Sequence, residues 1–348
     1  MKILINTPSL KLLGGVANHY LGLKDFWSED VRYNTVGKRS KNGKGIFWLP
    51  WDVLKFFLKL FVFSPDIVLF NTSLGESALK RDFFFMKIAT LFNIKVVVFI
   101  HGFNLEYAKI VDKQWVCNNL NKTSMILVLA SSFKEILQSW GVKSFIQLTT
   151  TKVDDKLLVG FDIKSRESVE PKILCVTRIE KAKGVYESLD AFYILRKKYP
   201  DLQFTLVGDG EELPAIKEYI TSKGIKGVTI TGRLDGDELK NEFKNSFFFF
   251  FLTSYGEGMP TCVLEAMAFG LPVFTRKVGG LADFFEQDKM GFITDSLDPQ
   301  IFADAFEKYI SNTQFYTEVA NYNYQYAKEH FMASSVTQKI EQTLKQII

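Results

Sequence analysis

Residues 172–192 read KILCVTRIEKAKGVYESLDAF and hold the pattern that decides the fold. A short run of apolar residues comes first, a charged turn follows, and the remainder has the spacing of a helix. Unbroken hydrophobicity is typical of a strand that is buried on both faces, whereas a half-exposed strand alternates apolar and polar residues. The stretch therefore predicts one strand–turn–helix unit of a parallel sheet covered by helices.

The same pattern recurs along all 348 residues, a length that suggests two domains. One series fills residues 1 to about 150, and a second begins after the charged, turn-like segment GFDIKSRESVEP at 160–171. We therefore predict an α/β protein of two doubly wound, Rossmann-like domains, with ligands beyond the carboxyl ends of the strands. The runs that predict strands are KILIN (2–6), DIVLFN (66–71), IKVVVFI (94–100), MILVLA (125–130), KILCVT (172–177), QFTLVG (203–208), VTITG (228–232), SFFFFFL (246–252) and LPVFT (271–275).

The composition is that of an ordinary globular protein, with 47% hydrophobic and 24% charged residues. The most apolar windows, 53–63 and 246–252, are too short or too often interrupted by lysine to span a bilayer, so we expect no transmembrane helix. The N-terminal apolar run is too short for a signal peptide. Three widely spaced cysteines fit neither a disulfide framework nor a zinc site, which favours a reducing cytoplasm. They are Cys117, Cys175 and Cys262.

The net charge of +4 conceals an asymmetry between the two halves of the chain. Residues 1–160 hold 21 Lys and Arg against 12 Asp and Glu, a net charge of +9, and residues 161–348 hold 22 against 27, a net charge of −5. A basic half can face an anionic surface or an anionic substrate. Dispersed, solvated charges give the same count, and both interpretations stay open here.

A glycine pair follows the first predicted strand, in the stretch LKLLGGVANHYLGL. Gly14 and Gly15 form a loop that lets an anion approach the backbone, in front of a helix whose first N–H groups are free to bind it. An ordinary turn gives the same sequence. The spacing matches neither a P-loop nor a dinucleotide fingerprint.

The turn of the opening stretch carries two cations next to predicted elements. Arg178 follows the strand directly, and Lys183 precedes Gly184 and the helix. An arginine fork and a lysine point charge at the end of a strand can neutralise a diphosphate without a metal. The alternative is a solvated loop, which is our interpretation of Lys181.

The stretch NSFFFFFLTSYGEGMPTCVLEAMAFG, at 245–270, leads from a buried strand through a glycine-flanked loop into a helix. Glu257 lies in the loop, and Pro260 with Thr261 is typical of a helix start. Glu265 then falls about one turn inside the helix, so we predict that the two carboxylates meet different parts of one ligand. A second glycine pair, at 279–280, again precedes a helix in an arrangement that suits phosphate.

These motifs together resemble the retaining glycosyltransferases of the GT-B fold, family four, which are also called group 1. The resemblance covers nearly the whole chain in order and spacing, strongly in the second half and weakly in the first 160 residues. It is carried by GGVANHY (14–20), TRIEKAKGVYESLDAF (177–192), LVGDGEEL (206–213), TGRLDGDEL (231–239) and EGMPTCVLEAMAFGLPVFTRKVGGLAD (257–283).

The resemblance implies catalytic roles for four residues. Glu257 would bind hydroxyls of the donor sugar. Arg178 and Lys183 would clamp the diphosphate of the nucleotide. His101 ends the run VVVFIHG, where members of the family often carry a histidine that faces the transferred sugar, although a lone histidine is more often a packing residue.

The remaining contacts with the donor are also implied by the resemblance. Glu265 would hold the ribose hydroxyls, and Arg233 with Leu234 would lie beside the base. Backbone N–H groups of two glycine loops would bind the diphosphate. The residues of those loops are Gly14, Gly15, Gly258, Met259, Pro260 and Thr261.

Fewer arguments apply to the acceptor side. Asn71 and Ser73 follow DIVLF and are candidates for acceptor contacts, although polar loop residues usually satisfy backbone groups. His19 and His330 have no comparable argument for a site role.

The resemblance also implies a division of the chain. Residues 1–160 would form the acceptor-side domain and residues 161–325 the nucleotide-sugar domain. Residues 326–348 would form a helix that packs back on the first domain.

Three features depart from the family pattern. TTTKVDD, at 149–155, replaces the usual turn before the second domain and keeps only its valine and aspartate, which puts the hinge geometry in question. Asp283 stands where glutamate is more usual. The DGD at 235–237 has the form of a metal motif from another glycosyltransferase fold, but Asp235 and Glu238 are better interpreted as a capping box, so we expect no essential divalent ion and no cofactor.

The expected function is retaining transfer of a sugar from a UDP- or GDP-sugar to a glycan or a polyprenyl-diphosphate-linked acceptor in bacterial surface polysaccharide synthesis. Two alternatives stay open, a nucleotide-sugar epimerase of the same fold and a non-catalytic nucleotide-sugar-binding subunit. Nucleic acid is not an expected partner.

An anionic membrane surface is a further candidate partner. GKRSKNGKG (37–45) and GIFWLPWDVLKFFLKLFVF (45–63) combine basic and aromatic residues in the acceptor-side domain. The alternative is a core helix flanked by a solvated loop. We expect a cytoplasmic protein, with attachment to the inner face of the plasma membrane as the open question.

Overall fold

The computed structural model describes residues 1–12, 14–40, 43, 45–168 and 171–348. The chain forms two compact units. The first unit contains Met1–Lys152, Gly256–Met259 and Ala333–Ile348, and the second contains Val153–Tyr255 and Pro260–Met332. Six residues lie outside the described residues. They are residue 13, beside the first glycine pair, residues 41, 42 and 44 of the basic segment GKRSKNGKG, and residues 169–170 of the predicted linker.

The first unit is built on a parallel sheet of six strands in the order β2-β1-β3-β4-β5-β6. Its strands are β1 (Lys2–Thr7), β2 (Asp30–Thr35), β3 (Ile67–Leu74), β4 (Lys95–Phe103), β5 (Met125–Val128) and β6 (Ile146–Leu148). Its helices are α1 (Gly15–Leu23), α2 (Leu49–Phe63), α3 (Glu76–Leu91), α4 (Leu105–Ile110), α5 (Lys113–Leu120), α6 (Ser131–Ser139) and, from the end of the chain, α14 (Ala333–Lys345).

The second unit repeats this plan with the strand order β12-β11-β10-β7-β8-β9, again all parallel. Its strands are β7 (Lys172–Val176), β8 (Gln203–Val207), β9 (Val228–Gly232), β10 (Phe248–Phe251), β11 (Val273–Arg276) and β12 (Gly291–Thr294). Its helices are α7 (Val185–Lys198), α8 (Leu213–Ser222), α9 (Gly236–Lys244), α10 (Thr261–Ala268), α11 (Leu281–Phe284), α12 (Pro299–Ile310) and α13 (Thr313–His330).

The central strands form the two cores. All four residues of β10 are phenylalanines and all four are buried, as the unbroken apolar run predicts. The nine predicted strands are confirmed, and β2, β6 and β12 are additional. The fold class predicted from the sequence, two doubly wound parallel sheets, is therefore confirmed.

The end of the chain belongs to the first unit. The carboxylate of Glu341, on α14, is buried and accepts hydrogen bonds from the backbone N–H groups of Ser28 and Glu29, at 2.8 and 3.1 Å. The C-terminal segment that belongs to this unit begins at Ala333. The predicted start is residue 326, and the difference arises because α13, in the second unit, continues to His330. The chain first passes from the first unit to the second after Lys152, whereas the predicted domain boundary is at residue 160.

Each sheet has one place where the strand order reverses. In the first unit this switch point lies between β1 and β3, and in the second it lies between β7 and β10. Ligands of open α/β sheets bind beyond the carboxyl ends of the strands at such points, because the loops there diverge to opposite faces and leave a crevice. Along the part of the chain that the structure describes, every helix is too short or too polar to cross a membrane.

Candidate functional site

The second unit places a buried lysine at its switch point. Lys183 closes a 3₁₀ turn, Lys181–Lys183, in the loop after β7, and only 5% of its surface is exposed. Its ammonium lies 4.0 Å from the centroid of the Tyr255 ring, in the loop after β10. Lys181 is exposed, as predicted. The two lysines of one short turn thus have opposite environments, and only Lys183 has that of a site residue.

Backbone contacts hold this lysine in position. The carbonyl of Ala182 accepts hydrogen bonds from the N–H groups of Ser254 and Tyr255, at 2.9 and 3.1 Å, and from the hydroxyl of Thr253 at 3.0 Å. Gly184 has a φ of +74°, and a side chain there would lie 2.3 Å from the backbone of Leu252. The loop after β7 is therefore packed directly on the loop after β10, which fixes the backbone that carries Lys183.

The other predicted cations of this unit are more exposed. Arg178 follows β7 with 66% of its side chain exposed, and its guanidinium donates to Glu180 at 2.6 Å. A surface ion pair of this kind is worth at most about 1 kcal/mol, so an anionic ligand can replace the glutamate. Arg233 is exposed and Leu234 half-buried in the loop after β9, at the same carboxyl edge of the sheet.

The helix predicted after the second glycine loop forms where expected. Pro260 is its N-cap, Thr261 its first residue and Ala268 its last, and Gly270 follows with a φ of +72°. Glu265 is half-buried one turn inside the helix. The capping box predicted at α9 is only half correct, because Asp235 occupies the N-cap position but its side chain makes no capping hydrogen bond.

The first unit contains a polar network at the ends of β3 and β4. The amide oxygen of Asn71 lies 2.9 Å from Nε2 of His101 and accepts from the Tyr20 hydroxyl at 2.6 Å. The amide nitrogen of Asn71 donates to the carbonyl of Asn6 at 3.1 Å. Because an amide oxygen can only accept, His101 carries its proton on Nε2 and presents Nδ1 as an acceptor. The ring stacks on Phe99 with 3.7 Å between centroids.

This network revises the role predicted for Asn71. The residue is buried inside β3, which continues to Leu74, and its amide is already bonded to Tyr20 and His101. Asn71 therefore orients His101 rather than contacting an acceptor. Ser73 is half-buried near the end of the same strand, opposite Gly102, and its acceptor role stays a prediction.

The cluster also contains Tyr20 and His19, two residues that the sequence did not assign to the site. His19, on α1, is buried with its ring centroid 5.2 Å from that of His101. Burial, and then the charge of the buried Lys152, lower the pKa of His19 from 6.5 to about 3. Burial, and then His19, lower the pKa of His101 well below its ordinary value. Both imidazoles are therefore neutral at physiological pH.

The short segment Gly256–Met259 packs with the first unit. A side chain at Gly258 would lie 2.8 Å from the carbonyl oxygen of His101 and 3.0 Å from the side chain of Leu129, so only glycine fits without displacing them. Met259 packs against the hydrophobic core of this unit. Glu257 is thus carried, half-buried, by a segment that is anchored at the end of β4.

The first glycine loop has a different geometry. Gly14 is the N-cap of α1 and Gly15 its first residue, and both are exposed. A side chain built at either position would meet no atom within 4 Å. The space in front of this helix start is therefore open to a ligand. Among the residues that the structure describes, no group of three His, Cys, Asp or Glu side chains is arranged to hold a metal ion.

The two neutral histidines predict a pH-dependent stability. Between the lowered pKa of His19 and 6.5 the unfolded chain binds more protons than the folded chain, so the free energy of unfolding rises with pH in this window. Above pH 6.5 the rise that His19 causes is complete. We expect His19→Leu to remove about 1 kcal/mol of the stability lost between pH 7 and pH 5.5. Urea unfolding at the two pH values measures this difference.

The matched control is His330→Leu, which removes a half-buried histidine of α13 outside the cluster. This control should retain more of the stability loss between pH 7 and pH 5.5 than His19→Leu does. An unchanged pH dependence in His19→Leu would contradict the assignment of a buried, neutral His19.

Comparison with known proteins supports this architecture. Residues 161–329 match the family described as glycosyl transferases group 1. The chain is 32% identical over 129 residues to the sulfoquinovosyl transferase SQD2 of Arabidopsis thaliana, which is 37% of this chain and 24% of that protein. It is 31% identical over 183 residues to a putative teichuronic acid biosynthesis glycosyltransferase, TuaC of Bacillus subtilis, which is 53% of this chain and 43% of that protein. The chain thus spans less than half of the length of these relatives.

The likeness to solved structures extends over the whole chain. Anabaena HepE, solved in complex with UDP-glucose, has a TM-score of 0.72 at 17% identity, with 99% of this chain and 100% of that chain covered. At this identity the likeness concerns the fold, which is the GT-B arrangement of two Rossmann-like sheets. The chain is therefore a protein of the GT-B fold whose residues 161–329 match the glycosyl transferases group 1 family.

Proposed function

We propose that this protein is a glycosyltransferase that moves a sugar from a nucleoside-diphosphate donor to a glycan or a lipid-linked acceptor. The observation that carries the proposal is the buried Lys183, held against Tyr255 at the switch point of the second sheet. It lies inside the segment that matches the family. A fixed cation beyond the carboxyl ends of parallel strands is what the leaving diphosphate of such a donor requires.

Five side chains are proposed to bind the nucleotide part of the donor. Lys183 and Arg178 would neutralise the diphosphate, Glu265 would bind the ribose hydroxyls, and Arg233 with Leu234 would flank the base. The UDP-glucose in the HepE structure supports a UDP-sugar, and a GDP-sugar is the other candidate. With two protein cations available for the diphosphate, the reaction would need no divalent metal.

Two side chains are proposed to bind the sugar of the donor. Glu257 would accept hydrogen bonds from its hydroxyls, and His101 would offer Nδ1 of a neutral imidazole as an acceptor. The bond between the anomeric carbon and the diphosphate oxygen would break while an acceptor hydroxyl attacks from the same face. The leaving phosphate oxygen would take the acceptor proton, and the anomeric configuration would be retained.

The acceptor side rests on the relatives. TuaC is described as a putative teichuronic acid biosynthesis glycosyltransferase, which favours a role in bacterial surface polysaccharide synthesis. A polyprenyl-diphosphate-linked glycan is the acceptor class that we propose. The protein would then act in the cytoplasm, at the inner face of the plasma membrane.

A panel of UDP-, GDP-, ADP- and dTDP-sugars tests this function, with thermal stabilisation and donor hydrolysis as measurements and EDTA present. We expect one sugar nucleotide to stabilise the protein and to be slowly hydrolysed without a metal. If no sugar nucleotide on the panel binds, the proposed function is wrong.

In the same assay, Glu257→Ala is expected to lower turnover strongly while the nucleoside diphosphate alone still binds, because the carboxylate is assigned to the sugar. The matched control is Glu218→Ala, which removes an exposed carboxylate of α8 and should leave turnover unchanged. Equal turnover in the two variants would contradict the role of Glu257.

A further inference from the structure

Helix α2 has an apolar surface on both of its sides. One side enters the core of the first unit through Phe56, Leu60 and Phe63. The opposite side is exposed, with Phe61 at 72% and Val62 at 75%. The apolar residues of this exposed face are Trp51, Leu54, Phe57, Leu58, Phe61 and Val62.

A surface helix normally carries polar residues on the face that it turns to water. Between Leu49 and Phe63 the charged residues of α2 are only Asp52, Lys55 and Lys59, and Asp52 is buried. A helix that is apolar on all sides is typical of a helix with a second apolar environment, such as a membrane or a partner.

Neighbouring elements extend this face. Phe47 and Trp48, in the 3₁₀ turn before α2, are exposed. The Phe57 ring packs edge-on against Phe92, at the end of α3, with 5.2 Å between centroids. Phe84 and Leu91 of α3 are exposed as well. We call the six exposed apolar residues of α2, together with Phe47 and Trp48, the α2 face.

The charges around the α2 face have one sign. Residues 32–63 contain seven Lys and Arg and a single acidic residue, Asp52. The carboxylate of Asp52 is directed inward, where it pairs with Arg39 and accepts from the N–H of Gly37 at 2.8 Å. Among the charged residues of 32–63 that the structure describes, the exposed ones are Arg32, Lys38 and Lys55, so the exposed charge of this segment is cationic and complementary to anionic lipid headgroups.

The cations lie against aromatic rings beside the apolar surface. The ammonium of Lys55 is 5.1 Å from the Trp51 ring, and the guanidinium of Arg39 is 5.5 Å from the Trp48 ring. Tryptophan and long basic side chains are suited to the boundary between water and lipid, where the stem or ring is buried and the polar end stays hydrated. This arrangement is typical of a helix that lies in a membrane interface.

We propose that the α2 face docks on the surface of an anionic lipid bilayer, with α2 lying flat and Lys55 among the headgroups. A second copy of this chain is a poorer occupant, because a symmetric contact through α2 would bring the two basic segments together. The proposal goes beyond the glycosyl transfer proposed above and does not depend on it, since binding to lipid needs no sugar nucleotide.

Flotation with vesicles tests the proposal on the full chain without any donor. Vesicles of phosphatidylcholine alone are compared with vesicles that contain 30% phosphatidylglycerol. We expect binding to the anionic vesicles that weakens with added salt. Leu58→Ser combined with Phe61→Ser should weaken this binding roughly tenfold or more, and Lys55→Glu should weaken it at least about fivefold.

Matched controls separate the α2 face from general exposure and charge. Ile110→Ser combined with Val159→Ser removes two similarly exposed apolar side chains elsewhere, and Lys143→Glu reverses an exposed charge outside α2. Both controls should bind vesicles as the parent chain does. The α2 variants change only exposed side chains, and circular dichroism confirms that they fold.

Two results would overturn the proposal. One is that the parent chain binds neither kind of vesicle. If sedimentation then shows a dimer that Phe61→Ser dissociates, a second copy of the chain covers the α2 face instead of lipid. The other is binding that the α2 variants weaken no more than the controls do. The donor panel is read separately, so a failure here leaves the proposed transferase activity intact.

Discussion

Replacing Lys183 with methionine is expected to lower kcat/KM for sugar transfer by about 10²–10³. Lys183 is buried against Tyr255 in a turn that the backbone bonds of Ala182 hold in place, so this turn needs no rearrangement when negative charge develops on the leaving diphosphate. A cation in a site of low dielectric stabilises such charge far more than a cation in water. Methionine has a similar length and keeps the apolar contact with the tyrosine ring while removing the charge.

Lys181→Met is the matched control, because Lys181 belongs to the same turn but is exposed. We expect this variant to stay within about twofold of the parent chain, whereas Lys183→Met should also bind the nucleoside diphosphate more weakly. Steady-state kinetics and titration calorimetry with the nucleotide measure the two effects. Equal kinetics for the two methionine variants would remove Lys183 from the site.

The central strands of both sheets could be predicted from the sequence because they are buried on two faces. The strands that were missed are β2, β6 and β12, which form three of the four sheet edges. An edge strand is partly solvated, so its sequence has no unbroken apolar run; in β2 only Asn34 is fully buried. β6 and β12 are in addition only three and four residues long. The sequence signal that finds a central strand is thus absent at these three edges, whereas the fourth edge strand, β9, was found from its β-branched run VTITG.

The candidate site divides in a similar way. Motif spacing located Lys183 and Glu265 correctly relative to their helices, because strand ends and helix starts are encoded locally. The cluster of His19, Tyr20 and Asn71 around His101 depends on packing between α1, β3 and β4, which are far apart in sequence. A sequence gives no direct signal for such contacts, and Asn71 was therefore interpreted as a loop residue.

Arg166 shows the same limit in the predicted linker, and it leads to a second large effect. The segment 160–171 has the composition of a solvated turn, yet Arg166 is buried in the second unit. Its Nε donates to the carbonyl of Phe269 at 2.7 Å, and its two terminal nitrogens donate to the carbonyls of Phe243, at 2.7 Å, and Ser246. Burial lowers the pKa of Arg166 to about 10, so the side chain stays charged at neutral pH.

Arg166→Met is expected to lower the free energy of unfolding by about 3–5 kcal/mol. Phe243 is in the last turn of α9 and Phe269 follows the last residue of α10, so the guanidinium satisfies carbonyls that no helical N–H can reach. Methionine fills much of the volume but leaves three buried carbonyls without this donor, at about 1–3 kcal/mol for each unsatisfied group, partly offset by the removal of a buried charge.

Urea unfolding of the full chain measures this effect, with Arg196→Met as the matched control. Arg196 is half-buried and donates to a single carbonyl, that of Leu202 at 2.9 Å, so its loss should cost about 1 kcal/mol. Both variants lose a guanidinium, but only Arg166 joins the ends of two helices. The comparison therefore separates the cost of losing a guanidinium from the cost of leaving the helix-end carbonyls without a donor. Equal destabilisation by the two substitutions would mean that water replaces Arg166 at these carbonyls, and that the linker is the solvated turn its composition suggests.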